Sequence, residues 1–319
     1  MKSLQKIGAF AASAGVVVLL ALPQLASAQS NRTWVSAAAG AADSGACPRT
    51  APCRTFAYAF TQTAANGGIN CIDPGPYGSV TITRSLVIDC RFALATVLVS
   101  GSNGVTINAP DGHVVLRNID IDGFATPGTG FAGIKIQAAA SVHVEDVTIR
   151  AMGGNGIEFA PSTAPSSGPS ELTLVRVLSR LNQQHGMLVA PTAGTAYVAV
   201  FESAFSGNAL TGTRVNDNSF ASITDTIFSS NGTHGVAAVS AGASAKVSLD
   251  RVTSSTNLNG GLLANGVGAV FNLSGVVTTG NAYGLYPPIG GGQYVSYGSN
   301  RTSGNLIGDR SEERRWERV

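Results

Sequence analysis

The sequence predicts an all-β fold, a parallel β-helix solenoid of about ten coils that a short N-terminal helix caps. Three observations carry this prediction. Glycine accounts for 39 of the 319 residues, only 12% of the residues are charged, and one motif recurs about every 24 residues in the second half. Many glycines with few charges exclude a coiled coil and a charge-rich disordered chain, because both need far more charged residues.

The N-terminal segment has the features of a secretory signal peptide. Lys2 and Lys6 precede an apolar run, and the small-residue triplet Ala26-Ser27-Ala28 follows it, so we expect residues 1–28 to be removed. The run is short for a bilayer span, although an uncleaved anchor is the alternative. The pattern predicts a secreted or periplasmic protein without membrane insertion after cleavage.

The mature chain is predicted to be electrically neutral. Residues 1–28 hold two of the 20 basic residues and none of the 18 acidic ones, so the formal net charge without them is zero. Binding to nucleic acid depends on clustered Lys and Arg, and this balance gives no sequence-wide attraction to phosphate. We therefore expect no nucleic-acid partner, and we expect a monomer.

All four cysteines lie in the first third of the mature chain, at Cys47, Cys53, Cys71 and Cys90. Export to an oxidising compartment predicts two disulfides. Of the three possible pairings we favour Cys47–Cys53, which closes a short loop, with Cys71–Cys90, which joins segments 19 residues apart. Zinc binding is the weaker alternative, since paired C-x-x-C motifs and a nearby histidine are missing from the sequence.

The segment after the short cysteine loop predicts the capping helix. Residues 54–65 contain no Gly or Pro, and Phe56 and Phe60 lie four apart on one helical face. Asn66-Gly67-Gly68 is expected to end this helix. The helix would cover the open edge of a first coil that begins at Ile69. We assign residues 29–68 to an N-terminal cap, 69–308 to the β-helix and 309–319 to a charged C-terminal tail.

The second half of the chain repeats one short motif, in which a hydroxyl residue and an asparagine precede a glycine and an apolar run. The glycines are at positions 133, 156, 186, 212, 235, 261 and 284, and a Pro-rich insertion at 160–169 explains the longest interval. Equivalent residues of successive coils stack about 4.8 Å apart. We therefore predict structural ladders at one corner, with sugar binding as the alternative role. The asparagine ladder is Asn182, Asn208, Asn231, Asn257 and Asn281, and the hydroxyl ladder is Ser179, Ser206, Ser229, Ser254 and Thr278.

The start of the repeat region resembles a known superfamily. The runs Thr55-Phe-Ala-Tyr-Ala-Phe60, Asn66-Gly-Gly-Ile69 and Asp73-Pro-Gly-Pro-Tyr77, followed by the coils, are similar to right-handed parallel β-helix proteins of the pectin-lyase-like superfamily. The resemblance extends over nearly all of the mature chain and implies a right-handed coil. It leaves the activity open, because that superfamily includes pectate lyases, polygalacturonases, epimerases and proteins without established chemistry.

The resemblance also implies where chemistry would take place, since enzymes of this kind bind polysaccharide along the outer groove of the first sheet. Aligning the coils on the asparagines predicts one outward column of four candidate catalytic carboxylates: Glu145, Glu202, Asp225 and Asp250. Carboxylates that lie close together repel, which raises one pKa or attracts a cation such as Ca²⁺. The alternative is a solvated column that Arg176, Arg251 and Lys246 neutralise.

A second acidic group is a candidate calcium site. Asp120 and Asp122 lie two apart on one predicted strand, and Asp146 is expected nearby. The alternative is an ordinary polar pair on a strand. Calcium is the single cofactor that the sequence leaves open.

Motifs of the related enzymes argue against an assigned activity. The Asn-Thr-Asp, Asp-Asp, Gly-His-Gly and Arg-Ile-Lys segments that polygalacturonases share are missing from the sequence. The favoured function is therefore a secreted protein that binds an extended polysaccharide or acts as a surface scaffold. The alternative is a polysaccharide lyase or glycoside hydrolase that acts on acidic glycans through the carboxylate column.

Overall fold

The computed structural model describes residues 29–124 and 128–309. Its strands pair in parallel and wind into a right-handed solenoid with three faces, which confirms the predicted fold class. The predicted signal peptide, and the predicted tail beyond Asp309, lie outside the described residues. Among the described residues, no helix has the length and hydropathy that crossing a membrane requires.

Each turn of the solenoid contributes one strand to each face in a fixed order, and we number the faces in that order. Two long strands, Val105–Arg117 and Ile134–Glu145, continue from face 3 into face 1, so these two faces form one 18-stranded sheet. The other strands of face 1 are Ser30–Val35, Thr63–Cys71, Leu86–Asp89, Ser170–Val175, Ala196–Phe201, Ser219–Thr224, Ala245–Asp250, Ala269–Ser274 and Gln293–Ser296.

Face 2 is a separate sheet of ten short strands. They are Gly75–Pro76, Ala95–Leu98, Ile119–Asp122, Thr148–Arg150, Leu178–Arg180, Ala204–Ser206, Ile227–Ser229, Thr253–Ser255, Val277–Thr279 and Arg301–Thr302. The remaining strands of face 3 are Val80–Ile82, Ile157–Phe159, Met187–Val189, Thr213–Val215, His234–Val239, Gly260–Asn265 and Tyr283–Leu285.

The solenoid has about eight turns, fewer than the ten that the sequence predicts. The strands at the two ends of face 2, Gly75–Pro76 and Arg301–Thr302, have only two residues each. Long connections, such as the one that contains residues 160–169, use further residues that a uniform period assigns to extra coils.

The core lies inside the coil and consists of stacked apolar side chains. Successive side chains of a strand point to opposite sides of the sheet, so every second residue of each face points inward. Phe205 and Phe228 stack at 5.3 Å between ring centroids beneath face 2. A second ladder beneath face 1 contains Val144, Leu174, Val200, Ile223, Leu249 and Leu273, which are all buried and in register.

The predicted asparagines form one buried ladder at the corner between faces 2 and 3. The amide nitrogen of Asn182 donates to Asn208 Oδ1 at 2.8 Å, and the same bond repeats down the ladder to Asn281. The ladder continues through Asn305 to Asp309, two members that the sequence analysis did not include. Each asparagine oxygen also accepts from a backbone N–H of the preceding turn, so the buried backbone donors at this corner have hydrogen-bond partners.

The predicted hydroxyl ladder is wrong at two positions. The inward residues aligned with Ser179 are Phe205, Phe228, Ser254 and Thr278, whereas Ser206 and Ser229 align with Arg180 on the outer side. The inward position lies three residues before each ladder asparagine, and Ser206 and Ser229 lie only two before theirs. A shift of one residue turns a side chain to the other side of a strand.

The N-terminal cap contains the predicted helix and both disulfides. The helix runs from Phe56 to Gln62, and Thr55 caps it by accepting from Tyr58 N at 3.1 Å. The helix is shorter than predicted, because Asn66-Gly67-Gly68 lies within strand Thr63–Cys71 instead of ending the helix. That strand pairs with Ser30–Val35, so pairing of face 1 begins well before Ile69.

The cysteines pair as Cys47–Cys53 and Cys71–Cys90, the arrangement favoured from the sequence. The first disulfide closes the loop before the helix. The second joins the ends of strands Thr63–Cys71 and Leu86–Asp89, which are neighbours on face 1. Both disulfides therefore tie together the N-terminal end of the solenoid.

Candidate functional site

The four predicted carboxylates lie at the corner between faces 1 and 2, but they do not form one column. Glu145 and Asp250 occupy the last position of their face 1 strands, in the ladder that also contains Val175, Phe201 and Thr224. Glu202 and Asp225 lie one residue later, at the corner itself. The predicted single column is therefore wrong, and Glu202 and Asp225 are the pair in successive turns.

The corner positions share an unusual backbone conformation. Positive φ angles of 48° to 55° recur at Asp146, Arg176, Glu202, Asp225 and Arg251. Left-handed conformations are uncommon outside glycine and mark sharp bends. Because the chain bends here, these five polar side chains are exposed at the corner and alternate between acidic and basic along much of its length.

Glu145 is bound by two arginines from neighbouring turns. Its carboxylate accepts from Arg117 Nε at 2.9 Å and from Arg176 Nη2 at 2.7 Å, and Arg176 also binds Asp146 at 2.6 Å. These guanidinium groups, Arg176 first, hold the pKa of Glu145 below its usual range. Glu145 is therefore ionised at neutral pH and unsuited to act as a general acid.

Asp225 and Asp250 share one arginine. Arg251 Nε and Nη2 donate to the two carboxylate oxygens of Asp225 at 2.8 and 2.9 Å, and Arg251 Nη1 binds Asp250. The hydrogen bonds from Arg251 lower the pKa of Asp225. The alternative of a carboxylate column neutralised by basic residues therefore describes Asp225 and Asp250, with Arg251 as their partner. Lys246, which was expected to take part, lies instead over the ring of Phe220, 5.8 Å from its centroid.

Glu202 differs from the other three candidates. Among the described residues it makes no ion pair, and its side chain is exposed. It borders a shallow groove of about 360 Å³ whose floor includes Ala204 and Ile227. Glu202 next to Asp225 is thus the one place in the predicted column where a carboxylate is available to a ligand.

The residues of the predicted calcium site do not fit a calcium ion. Arg150 Nη2 lies 2.8 Å from Asp122 and 3.4 Å from Asp120, so a guanidinium group occupies the space between the two carboxylates. Burial raises the pKa of Asp120, which also disfavours the ionised ligand that Ca²⁺ requires. Asp146 belongs to the corner and binds Arg176 instead. The described residues contain no cluster of three or more His, Cys, Asp or Glu that could hold a metal.

Face 1 carries an aromatic patch that the sequence analysis did not single out. Tyr197 and Phe220 are aligned in successive turns with ring centroids 5.3 Å apart in an edge-to-face arrangement. Tyr197 is 46% exposed, and Phe201, at the other end of the same strand, is 40% exposed. The alternation in Tyr197-Val-Ala-Val-Phe201 was the available signal, since it predicts both rings on one side of a strand.

Small residues separate the two edges of the aromatic patch. The ladder between them contains Ala199, Ser222 and Ser248, and these small side chains leave a shallow depression along the middle of the outer surface of face 1. The two serines are exposed. The patch therefore combines flat apolar rings at its edges with hydroxyl groups on its floor, and the corner carboxylates border it beyond Phe201.

A charged cleft lies at the N-terminal end of the same face. It has a volume of about 290 Å³, and its lining includes Arg32, Asn70, Asp89 and Arg117. Arg117 Nη1 lies 3.8 Å from Asp89 while its Nε binds Glu145. Face 1 therefore presents paired charges at one end and aromatic rings in the middle.

We compared the sequence and the structure with those of known proteins. No family model and no curated protein matches the sequence. The structure is similar to pectate lyase Pel9A, with a TM-score of 0.53, 10% identity, and coverage of 83% of this chain and 77% of that chain.

Weaker similarities link the structure to two further solved proteins. One is the A-module of mannuronan C-5 epimerase AlgE4 of Azotobacter vinelandii, with a TM-score of 0.40, 11% identity and coverage of 75% and 89%. The other is the enzymatically active domain of bacteriophage CBA120 tailspike protein 2, with a TM-score of 0.42, 12% identity and coverage of 78% and 44%. With its three-faced right-handed coil and buried asparagine ladder, the chain has the pectin-lyase-like parallel β-helix fold.

Proposed function

We propose that the protein is a secreted glycan-binding protein that docks an extended polysaccharide on face 1. The observation that carries this proposal is the aromatic patch beside its floor of small residues, in which Tyr197 and Phe201 are exposed and Phe220 is half-buried. A sugar ring presents C–H groups on its faces and hydroxyls around its edge. Aromatic rings pack against the former, and a few placed polar groups bind the latter.

The solenoid suits a ligand that is itself extended. Turns follow one another about every 4.8 Å along the axis, so a polymer that lies along face 1 can contact several successive turns. Ser222 and Ser248 offer hydroxyl groups along this line. The pectate lyase that shares the fold is named for a polymer of this kind, which agrees with the proposal.

The charges around the patch favour stacking and hydrogen bonding over net charge as the source of affinity. Arg176 and Arg251 are bound to carboxylates of the protein itself. Paired ions contribute little attraction for a charged ligand beyond the Debye length of about 8 Å at physiological salt. We therefore expect binding that depends weakly on salt concentration.

Secretion is part of the same proposal. Two disulfides, Cys47–Cys53 and Cys71–Cys90, are typical of proteins from oxidising compartments. The signal-peptide pattern of residues 1–28 also supports export. A secreted or periplasmic location would bring the protein into contact with cell-surface and environmental polysaccharides.

Affinity electrophoresis with the full chain tests the glycan-binding function. We expect retardation in gels that contain polygalacturonate, alginate, xylan or dextran, for at least one polymer. The double variant Tyr197→Ala/Phe220→Ala should lose at least about tenfold in affinity for that polymer, because each stacked ring contributes about 1 kcal/mol or more. The matched control is Phe92→Ala, which removes an aromatic ring that is 97% exposed and lies off face 1. Unchanged migration in all four polymers would overturn the proposal.

A second candidate function is cleavage of an acidic glycan next to Glu202. The observation that favours it is the Glu202 carboxylate, which makes no ion pair among the described residues and lies beside Asp225. Incubation with polygalacturonate and Ca²⁺ should then produce unsaturated or reducing ends, and Glu202→Gln should abolish them while Asp111→Asn, at an exposed carboxylate between faces 3 and 1, should not. Binding without any new ends would leave the glycan-binding function and exclude this one.

A further inference from the structure

An open groove lies on the side of the solenoid away from the aromatic patch. It has a volume of about 470 Å³ and is located where the chain turns from face 2 into face 3, beside Lys135 and Glu158. This volume is within the range of pockets that hold small ligands. The groove shares none of its lining residues with the aromatic patch or with the corner carboxylates.

Glycines form much of the wall of this face 3 groove because two chain segments approach closely there. A Cβ atom on Gly153 would lie 2.4 Å from the carbonyl oxygen of Gly128, and one on Gly154 would lie 2.2 Å from that of Phe131. Gly153 N donates to Gly130 O at 2.7 Å across the same contact. Among the described residues, peptide groups therefore form this part of the groove wall.

Two amide side chains are held in place at the groove by their oxygen atoms. Asn103 Oδ1 accepts from Ala132 N and Asn155 Oδ1 accepts from His185 N, each at 3.1 Å. The amide nitrogens make only one long bond each among the described residues, at 3.3 Å for Asn103 and 3.4 Å for Asn155. An amide nitrogen carries two hydrogens, so each side chain has an oriented donor to spare. Asn155 is only 4% exposed, and an unused donor there is an unusual feature.

The groove also contains one ion pair and one exposed aromatic ring. Lys135 Nζ lies 3.0 Å from Glu158 Oε1, so the two charges at the groove cancel. Phe131 lines the groove with its ring 62% exposed. Gln184 adds an exposed amide to the lining of the groove.

We propose that the face 3 groove is a second ligand site, which binds one neutral, hydroxyl-rich ring of monosaccharide size. Phe131 packs on the C–H face of the ring, the amides of Asn103 and Asn155 donate to its hydroxyls, and Gln184 and the bare peptide groups supply further partners. An anionic ligand would find no unpaired cation among the described residues of the lining, because Glu158 neutralises Lys135. An apolar ligand would leave the amide donors unsatisfied, which is unfavourable for buried groups.

Saturation-transfer NMR and calorimetry on the full chain test this site. The probes are D-glucose, D-galactose, D-mannose and N-acetyl-D-glucosamine, each alone at millimolar concentration. We expect at least one of them to bind with a dissociation constant on the order of 1 mM. Binding of none of the four overturns the proposal.

Variants locate the binding. Phe131→Ala removes an exposed ring and should lower the affinity at least about tenfold, and Gln184→Ala should lower it by a smaller factor. Phe92→Ala and the face 1 variant Tyr197→Ala should leave it unchanged. If Tyr197→Ala removes binding while Phe131→Ala does not, the sugar binds face 1, and the second site does not exist even though the glycan-binding function stands.

Discussion

Single asparagines stabilise the solenoid at its tightest corner. Asn231 is 1% exposed and accepts from both the backbone and the side chain of Asn208 while it donates to Asn257 Oδ1 and to Phe205 O. No other side chain of that size offers the same two donors and one acceptor. The ladder is therefore a structural element, and its regular repetition leaves no position in it distinct enough to bind a ligand.

We predict that Asn231→Ala lowers the free energy of unfolding by about 3 kcal/mol, because it leaves buried backbone and side-chain groups of two turns unsatisfied. Denaturant unfolding followed by circular dichroism measures the change. Asn272→Ala, at an outward position of face 1 where the amide makes one bond of 3.4 Å, should change it by less than about 0.5 kcal/mol. Equal losses in the two variants would show that the ladder has no special role.

Two buried histidines give the stability a specific pH dependence. Burial lowers the pKa of His185 and of His234 to about 4, from an ordinary value of 6.5. As the pH falls below 6.5, the unfolded chain takes up protons that the folded chain does not, so the free energy of unfolding decreases. The decrease from these groups stops near pH 4, where the folded protein is protonated as well.

We expect this loss to be on the order of 3 kcal/mol per histidine between pH 6.5 and pH 4. The double variant His185→Asn/His234→Thr should flatten the curve in that interval, because neither replacement titrates there. Both histidines occupy the position before a corner glycine, which Asn155 and Thr211 occupy in neighbouring turns, so the replacements suit that position. His113→Asn, which changes an exposed histidine, is the control. A double variant that follows the wild-type curve would mean that acidic groups cause the loss instead.

At the scale of the element, the corner glycines explain why the motif repeats so regularly. A Cβ atom on Gly235 would lie 2.0 Å from Ser254 Oγ and 2.7 Å from the carbonyl oxygen of Gly261 in the next turn. The same clash with the next corner glycine recurs at Gly186 and Gly212. Each of these turns therefore requires a glycine at the corner, because the backbone of the next turn lies too close for a Cβ atom. The regular spacing of these glycines in the sequence follows from this close approach.

Gly235→Ala should consequently lower the melting temperature by several degrees, which corresponds to about 2 to 3 kcal/mol of overpacking. Differential scanning calorimetry provides the measurement. Gly68→Ala is the matched control, because its nearest neighbour, Val87 O, lies at 3.5 Å and leaves room for a methyl group. A Gly235→Ala protein as stable as the control would contradict the steric explanation.

The same elements show what the sequence could and could not predict. The period, the parallel stacking and the asparagine ladder follow from residues that repeat, so alignment on Asn208 or Asn231 was sufficient. The candidate site depended on single-residue register: Glu202 and Asp225 lie six residues before their ladder asparagines, whereas Asp250 lies seven before Asn257. Counting residues back from each ladder asparagine would have separated Glu202 and Asp225 from Asp250. The pairing of Glu145, Asp225 and Asp250 with arginines, and the unpaired state of Glu202 among the described residues, depend on side-chain geometry between turns, which no periodic signal contains.

Considered as a whole, the molecule is a one-dimensional stack whose two ends differ. The first turns are closed by helix Phe56–Gln62 and by both disulfides. At the other end, strand Gln293–Ser296 pairs on one side only among the described residues, and Arg301–Thr302 has two residues. In a stacked structure the stability of a turn depends on its neighbours, so local opening should begin where one neighbour is lacking.

Hydrogen exchange measured by mass spectrometry can test this asymmetry. We expect the slowest exchange in central strands such as Ser219–Thr224 and the fastest in Gln293–Ser296 and Arg301–Thr302, because those amides require only the last turn to open. Reduction of the disulfides should then speed exchange in Ser30–Val35 and Thr63–Cys71 and leave the C-terminal strands as they were. Uniform exchange along the chain would instead indicate that the solenoid opens as one cooperative unit, and the disulfides would then stabilise every turn equally.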